Sequence, residues 1–316
     1  MTHRVGIIGL GTVGSRFVEQ FNLHPAFDLV AAWDPDDGAC EAHGSQVAIA
    51  DDAATVIDTA DLVYIAVPPL HHAGYVHACL AAGSAIFCEK PLGIDVAESR
   101  ALVAAVESAE RRAAVNFVFG AAPSARQLHE EVTAGTIGDV VRADLRLHFS
   151  QWPRAWHAKA EWLTLRDQGG WVREVVSHFV FLAARILGDL RLEAHDVDYP
   201  DGPQGTLSET WASARWDAAV APLMLSGTST GGGTDVVDLT IRGSEGALRI
   251  WDWYHLQADT GSGWGDVFSA DRATLAAAAY ARQLDQLAAM MDGNDHSLAT
   301  FAEALAVQER IEQLLA

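Results

Sequence analysis

Residues 9–14 form a G-x-G-x-x-G motif whose first glycine is also the last residue of the short apolar run 4–9. Apolar residues then recur with helical spacing at Phe17, Val18 and Phe21. Glycines in this context allow a tight turn, a close approach of the backbone to a pyrophosphate, and close helix–strand packing. The segment therefore predicts a strand–turn–helix unit that binds a dinucleotide at the helix N-terminus. The predicted cofactor-binding residues of this loop are Gly9, Gly11, Thr12, Val13 and Gly14.

An acidic residue, Asp34, ends the second predicted strand, residues 28–33, twenty positions after the last glycine. A carboxylate at this distance accepts hydrogen bonds from the adenosine ribose hydroxyls. Its neighbours Pro35, Asp36 and Asp37 include no arginine that could pair with a 2′-phosphate, and the carboxylates would repel that group. The pattern predicts NAD as the cofactor, with NADP as the alternative. An acidic turn that is only solvated would give the same sequence.

The first 120 residues alternate short apolar runs with helical patterns, which is typical of a doubly wound parallel sheet. The run at 62–67 is continuously apolar, as expected of a strand buried on both faces. We predict a Rossmann domain over residues 1–120. Its predicted strands cover 4–9, 28–33, 62–67, 85–88 and 115–119. One predicted helix follows the glycine motif and carries Phe17, Val18 and Phe21, and three more cover 52–57, 72–82 and 96–110.

The pattern changes after residue 120, where longer and partly alternating segments are typical of an antiparallel sheet with one covered face. We predict an α+β substrate-binding and oligomerisation domain over residues 121–316, with a large and mainly antiparallel sheet. Its predicted strands cover 140–149, 209–216, 219–228 and 236–242, and its predicted helices cover 125–133, 170–187, 271–292 and 298–315.

The formal charge of −21 disfavours nucleic acid and anionic membrane surfaces as partners, since both require basic patches. The cysteines Cys40, Cys79 and Cys88 have neither pairing nor metal-type spacing, which fits a reducing compartment. No charged-then-apolar leader and no apolar stretch of membrane-spanning length is evident. We expect a soluble, cytoplasmic protein.

Lys90 is one of two lysines, against nineteen arginines, and it lies in the run Phe-Cys-Glu-Lys-Pro-Leu-Gly at 87–93. An ammonium group can give up its proton in a protein, and a guanidinium group cannot. Lys90 is therefore a candidate proton donor. The alternative is that a lysine occurs at this position by chance, and that Lys90, like Lys159, is only a solvated side chain.

The run Val-Pro-Pro-Leu-His-His at 67–72 follows the predicted strand 62–67, at the sheet edge where open α/β sheets bind their ligands. Adjacent histidine side chains diverge, and no further ligand follows at metal-binding spacing, so no metal is expected. Pro68 and His72 are instead predicted to begin a helix and to line the cofactor.

Together these motifs resemble the Gfo/Idh/MocA oxidoreductases, which include glucose–fructose oxidoreductase and inositol dehydrogenase. The resemblance covers essentially the whole chain and is strongest over residues 4–120. It is carried by the glycine fingerprint, Pro68 with His72, Glu89-Lys90-Pro91, Asn116, and the segments 134–140 and 243–248.

The resemblance implies that Lys90 lies beside the nicotinamide and contacts the reacting group of the substrate, with a cis Lys90–Pro91 peptide bond. It implies that His178 faces the same group from the second domain, and that Glu89 and Asn116 belong to the cofactor site. It also implies that the second-domain sheets pack face to face between subunits in a homodimer or homotetramer.

The chain departs from the family pattern at Glu174, where relatives have an aspartate four residues before the histidine. On an α-helix the i, i+4 spacing puts Glu174 and His178 on one face, so both could be catalytic; a pair that only stabilises the helix is the alternative. Arginine is absent at Val118, where sugar-oxidising relatives have one. Four tryptophans precede or begin the histidine helix and fit either the core or a flat substrate face. They are Trp152, Trp156, Trp162 and Trp171.

The predicted chemistry is hydride transfer between nicotinamide C4 and a small hydroxylated substrate such as a sugar or polyol, with Lys90 and His178 handling the proton. An imine reductase or amine-forming reductase is the redox alternative. A different class also stays open, namely a glycosidase-type enzyme that uses NAD transiently, or an NAD-sensing regulator without turnover.

Overall fold

The computed structural model describes residues 2–157 and 160–316, so Lys159 lies outside the described part of the chain. The chain forms two compact units. The first combines the chain through Phe117 with Tyr280–Gln308, and the second combines Val118–Ala279 with Glu309–Ala316. Residues 280–308 thus group with the first unit, whereas the boundary predicted from the sequence places all residues after 120 in the second domain. A helical pattern does not reveal which unit a C-terminal helix joins, because that depends on the course of the chain. Within the described residues, no helix is both long and apolar enough to cross a membrane.

The first unit is built on a five-stranded sheet in the order β2-β1-β3-β4-β5, with all neighbours parallel, which confirms the predicted Rossmann sheet. Its strands are β1 His3–Ile8, β2 Phe27–Trp33, β3 Leu62–Ile65, β4 Ala85–Glu89 and β5 Ala113–Asn116. Its helices are α1 Thr12–Leu23, α2 Asp37–His43, α3 Ala53–Thr59, α4 His72–Ala82 and α5 Val96–Ser108.

Burial explains why the central strands are continuously apolar. Every residue of β3 and β4 is buried, as two covered faces require. Helix α1 adds Phe17 and Phe21 to this core, and the Phe17 ring lies 4.5 Å from that of Tyr64. The first unit therefore has a closely packed core below the carboxyl ends of its strands.

Several predicted boundaries shift for local reasons. Strand β3 ends at Ile65 instead of 67, just ahead of Pro68 and Pro69, which cannot donate to a sheet. Strand β5 begins earlier than predicted, and a 3-10 turn at Val118–Gly120 replaces its predicted end. Helix α2 was not predicted; Asp36 caps it by accepting a 3.0 Å hydrogen bond from the Gly38 N–H.

The second unit contains an eight-stranded sheet in the order β13-β12-β11-β10-β6-β9-β8-β7. Only the β6–β9 pair is parallel among these strands, so the predicted mainly antiparallel sheet is confirmed. The strands are β6 Val140–His148, β7 Arg191–Asp198, β8 Trp211–Asp217, β9 Leu223–Thr228, β10 Val236–Gly243, β11 Ala247–Trp251, β12 His255–Asp259 and β13 Gly265–Asp266.

Strands β7, β11, β12 and β13 were not predicted as strands. Strand β7 lies at the sheet edge and is mostly exposed, so it carries little apolar signal, and β13 has only two residues. Strand β6 shows the expected alternation, since Ala143, Leu145 and Leu147 are buried while intervening side chains are more exposed. The buried face of this sheet is thus recognisable in the sequence, and its edges are not.

The remaining helices are α6 Pro123–Thr133, α7 Ser177–Leu187, α8 Arg272–Asp292 and α9 Phe301–Leu315. The helix predicted over 170–187 is not uniform. A π-helical turn at Val172–Val176 precedes α7. Single π-helical turns are rare and are found frequently at functional sites.

Candidate functional site

The glycines of the 9–14 loop have different physical roles. Gly9 has a φ of +99°, and a Cβ added there would lie 2.4 Å from the Ala66 carbonyl oxygen. A Cβ at Gly14 would lie 1.9 Å from the Gly9 carbonyl oxygen. Gly9 therefore permits the turn, and Gly14 permits α1 to pack closely against it.

Gly11 differs, because a Cβ there would meet nothing within 4 Å. Packing within the protein therefore does not demand a glycine at this position. Gly11 is the N-cap residue of α1, with Thr12 and Val13 following as the first helical residues, and the first turn contains no acidic side chain. The backbone thus opens onto free space at the positive end of the α1 dipole, which fits a bound pyrophosphate.

Asp34 lies beside this loop because β1 and β2 are parallel neighbours in which Ile8 pairs with Trp33. Its Oδ2 atom accepts a 2.6 Å hydrogen bond from the Leu10 N–H, and its Oδ1 atom accepts a 2.8 Å hydrogen bond from the Asp36 N–H. The carboxylate is consequently fixed in place but only partly buried. It can still accept hydrogen bonds from a ligand.

Glu89 and Asn116 come together because they pair in register at the ends of β4 and β5. Both are buried. Glu89 Oε1 accepts hydrogen bonds from the Tyr64 hydroxyl and from Asn116 Nδ2, and Asn116 Oδ1 accepts one from Gln283 Nε2. Burial and the Glu89 charge raise the pKa of Tyr64 well above its ordinary value, so it remains a neutral donor.

Tyr64 and Gln283 were missed by sequence reasoning. Tyr64 lies within an apolar run and reads as a core residue, and Gln283 is one polar residue of a long helix, so neither carries a local signal. The hydrogen-bond network fixes the end of β4, and Lys90 is the next residue along the chain.

His72 is fully buried between two backbone carbonyl groups. Its Nε2 atom donates a 2.8 Å hydrogen bond to the Val67 carbonyl, and its Nδ1 atom lies 3.3 Å from the Leu92 carbonyl oxygen. Burial lowers the pKa of His72 to about 4, although these carbonyls oppose the shift, so the imidazole is neutral. His72 links the Pro68 segment to the loop that carries Lys90, and the Lys90–Pro91 peptide bond is cis, as predicted.

Glu174 and His178 lie on either side of the change in helix type in the second unit. Glu174 belongs to the π-helical turn, and His178 belongs to the first turn of α7. The expectation that they share a face assumed regular α-helical spacing, and the π-helical turn alters that spacing. His178 is buried, with 9% of its surface exposed, and Glu174 is partly exposed.

The π-helical turn is held by ionisable side chains that sequence reasoning did not select. Glu209 Oε1 accepts a 2.8 Å hydrogen bond from the Val172 N–H, and burial raises the pKa of Glu209 to about 7. A Cβ at Gly170 would lie 2.5 Å from Glu209 Oε2, so the glycine makes room for this carboxyl group. Arg173 forms a two-pronged ion pair with Glu312, at 2.6 and 2.7 Å. The glycine pair before the helix is the only sequence signal for this arrangement.

The tryptophans selected from the sequence have divergent environments. Trp171 is fully buried and packs against Gly227, so it is a core residue. Trp156 is 54% exposed and lies against His157. The aromatic rings next to His178 are instead those of Phe119 and Trp253, with centroids 6.3 and 5.6 Å from the imidazole.

No group of three or more His, Cys, Asp or Glu side chains within the described ranges is placed to hold a metal ion. The first unit therefore presents the glycine loop with Asp34 and the network next to Lys90, and the second unit presents, by itself, the helix that bears His178.

Comparisons with known proteins identify relatives of this chain in sequence and in fold. A sequence model of an oxidoreductase family with an NAD-binding Rossmann fold matches residues 3–117. Inositol 2-dehydrogenase 3 of Saccharopolyspora erythraea is 30% identical over 228 residues, which cover 70% of this chain and 67% of that protein. Trans-1,2-dihydrobenzene-1,2-diol dehydrogenase of Mus musculus is 32% identical over 174 residues, and the alignment spans about half of each protein, 49%.

The fold is shared with a solved oxidoreductase from Thermotoga maritima. The two structures superpose with a TM-score of 0.85 at 17% sequence identity, covering 100% of this chain and 96% of the other. At that identity the likeness establishes the fold alone.

Proposed function

Because the chain belongs to the Gfo/Idh/MocA family of oxidoreductases with an NAD-binding Rossmann fold, we propose that it is an NAD-dependent dehydrogenase or reductase of a small hydroxylated ring compound. The observation that carries the proposal is Gly11, where a backbone without a side chain opens onto free space at the start of α1. When bound, NAD supplies the hydride acceptor or donor at nicotinamide C4.

The residues that would hold NAD lie along the carboxyl ends of β1 and β2. The N–H groups at the start of α1 would bind the pyrophosphate, and Asp34 would accept hydrogen bonds from the ribose hydroxyls. Asp36 and Asp37 add negative charge close to the ribose position. NAD is preferred over NADP because this charge disfavours a 2′-phosphate.

Proton transfer accompanies the hydride, since oxidising an alcohol removes a hydride from carbon and a proton from the hydroxyl group. We assign the proton to Lys90 and His178, as the family resemblance implies. Support for Lys90 comes from its position between the Glu89 network and the loop secured by His72, which together fix its backbone. A positioned acid or base of this kind contributes roughly 10²–10⁴-fold to the rate.

The substrate class follows from the relatives. Their names specify inositol and a dihydrobenzene diol, which are both rings with adjacent hydroxyl groups. We extend this feature to the present chain as a proposal. The resemblance also suggests a homodimer or homotetramer, which size-exclusion chromatography with light scattering tests.

A substrate panel tests the function. The purified protein is incubated with cyclitols, cyclic diols, sugars, open-chain polyols and cyclic imines, with NAD(H) and NADP(H) in parallel, while absorbance of the reduced cofactor is followed. We expect turnover of ring diols with NAD. Activity confined to imines would replace the proposal with an imine reductase. Tightly retained NAD without any net absorbance change would favour a redox-neutral enzyme or a regulator.

A further inference from the structure

The hairpin turn between β11 and β12 has an unusual backbone. Trp251 pairs with His255 across the hairpin, so residues 252–254 form the turn. Asp252 has a φ of +44° and Trp253 a φ of +71°, both in the left-handed region. Aspartate tolerates this conformation, but a bulky side chain rarely adopts it, and glycine would be the unstrained choice. Such residues persist only where their surroundings hold them, and they cluster at functional sites.

Contacts on both sides hold this turn. The Asp252 N–H donates a 3.0 Å hydrogen bond to the Val237 carbonyl on β10, and the Tyr254 N–H donates a 2.9 Å hydrogen bond to the Asp252 carbonyl. The Asp252 carboxylate forms a 3.0 Å ion pair with Arg272, whose guanidinium group also lies over the Tyr254 ring. The direction of the Trp253 side chain is thereby fixed by its neighbours.

The indole that this turn presents lies beside His178. The ring centroids of Trp253 and His178 are 5.6 Å apart, with planes at 83°. Phe119 makes the same 83° angle with His178 and lies nearly parallel to Trp253, at 23°. Phe179 completes the group, 5.4 Å from Trp253. The imidazole therefore packs, with its plane nearly perpendicular, against a pair of neighbouring and nearly parallel aromatic rings.

Burial separates Trp253 from the other members of this cluster. Phe119, Phe179 and His178 are all buried, whereas Trp253 retains exposed surface. A ring needed only for the core would have been buried with the others, and it would not require a strained backbone. The exposed part of Trp253 is an apolar surface next to a histidine that the proposed function uses.

We propose that Trp253 is a specificity-determining residue whose indole forms an apolar wall beside His178, against which the C–H face of a ring-shaped substrate packs. This inference rests on the proposed function and goes beyond it, because it names the residue that distinguishes rings from open chains. The electron-rich face of an aromatic ring attracts the C–H groups of a flat partner. An open-chain polyol offers no such face unless it first loses conformational freedom.

Equilibrium binding tests the inference independently of turnover. Calorimetry with the NADH-loaded protein, in which the reduced cofactor cannot accept a hydride from an alcohol, compares trans-cyclohexane-1,2-diol with hexane-1,2-diol, and myo-inositol with sorbitol; each pair matches carbon and hydroxyl counts. We expect the wild type to bind the ring compound about tenfold more tightly in at least one pair. Trp253→Ala should reduce this preference to less than about threefold, and Trp253→Phe should retain part of it.

Two further variants guard against misfolding and non-specific effects. Trp253→Gly removes the same indole while relieving the left-handed backbone, so it should lose the ring preference yet have a higher melting temperature than Trp253→Ala. Trp251→Phe makes a matched change in the same hairpin, on a residue that packs against Arg249, and should keep the ring preference.

A wild type without ring preference, or without ring binding, overturns the inference. So does a Trp253→Ala protein that keeps the preference, or that weakens ring and chain equally, which would indicate a purely structural role. Failure of the proposed function is a separate result, seen as absence of turnover in the substrate panel.

Discussion

The carboxylate of Asp34 accepts a 2.6 Å hydrogen bond from the Leu10 N–H, inside the glycine-rich loop. The side chain at the end of β2 thus supports the loop after β1, and the remaining lone pairs of the carboxylate stay available to a ligand. One residue would therefore affect both the shape of the nucleotide site and its affinity.

Replacing Asp34 with alanine should raise the Kd for NAD about 10- to 100-fold, since hydrogen bonds to a charged group are lost. The Kd for NADP should change less, because the carboxylate no longer repels the 2′-phosphate. Asp37→Ala removes an exposed carboxylate nearby and serves as the matched control, with NAD affinity close to wild type. Fluorescence titration with both cofactors measures the effect. Equal NAD affinities in wild type and Asp34→Ala would exclude Asp34 from the ribose site.

Alanine substitutions at Gly11 and Gly14 should separate ligand binding from folding. A Cβ at Gly14 would lie 1.9 Å from a backbone oxygen, so Gly14→Ala should lower the melting temperature markedly. A Cβ at Gly11 meets nothing within 4 Å, so Gly11→Ala should keep its stability within about 1 kcal/mol and lose NAD affinity. Calorimetry of unfolding and of NAD binding distinguishes them. A Gly11→Ala protein that binds NAD normally would contradict the assigned pyrophosphate position.

Lys90→Met should leave NAD binding intact and lower turnover at least about a hundredfold, because the reaction loses a group that handles its proton. Lys90→Arg keeps the positive charge but cannot release its proton, so it should be nearly as slow. Stopped-flow kinetics on the substrate found by the panel, with NAD titration alongside, measures both quantities. Near wild-type turnover in either variant would remove Lys90 from the mechanism.

Glu209 should make the stability of the chain depend on pH. Burial raises its pKa to about 7 in the folded state, above its ordinary value of 4.5, with Glu312 adding to the shift and Arg173 opposing it. Between these values the folded chain holds a proton that the unfolded chain has lost. The free energy of unfolding should therefore fall as pH rises through this window, by up to about 3 kcal/mol.

Glu209→Gln mimics the neutral form and should lack this contribution, so it should exceed the wild type in melting temperature at pH 8 and match it at pH 5. Thermal unfolding across that range measures the difference. Glu161→Gln, at an exposed glutamate of the same unit, should follow the wild type. Parallel pH profiles for wild type and Glu209→Gln would show that the carboxyl group does not titrate in this window.

Patterns within short stretches of sequence identified most of the nucleotide half. The strand, glycine loop and helix of residues 4–23 are predicted from residues close together in the chain. Asp34 follows the next strand, and the alternation of strands and helices predicts that the two strands are parallel. Strands β3 and β4 are buried along their whole length, which explains why their apolar residue runs predicted them as strands. Edge strands such as β7 were not predicted, because an exposed strand lacks the apolar alternation on which the prediction depends.

Local sequence patterns are sufficient to predict the Rossmann unit, its glycine loop and the position of Asp34, because backbone sterics and periodicity act between residues close in the chain. Three contacts are evident only from the folded chain: Gln283 donates to Asn116, Glu209 accepts from the turn before His178, and Trp253 packs against that histidine. These partners are far apart in the chain. A π-helical turn and a hairpin turn with left-handed backbone conformation orient the side chains involved. Such contacts arise from the course of the whole chain, which no local pattern encodes.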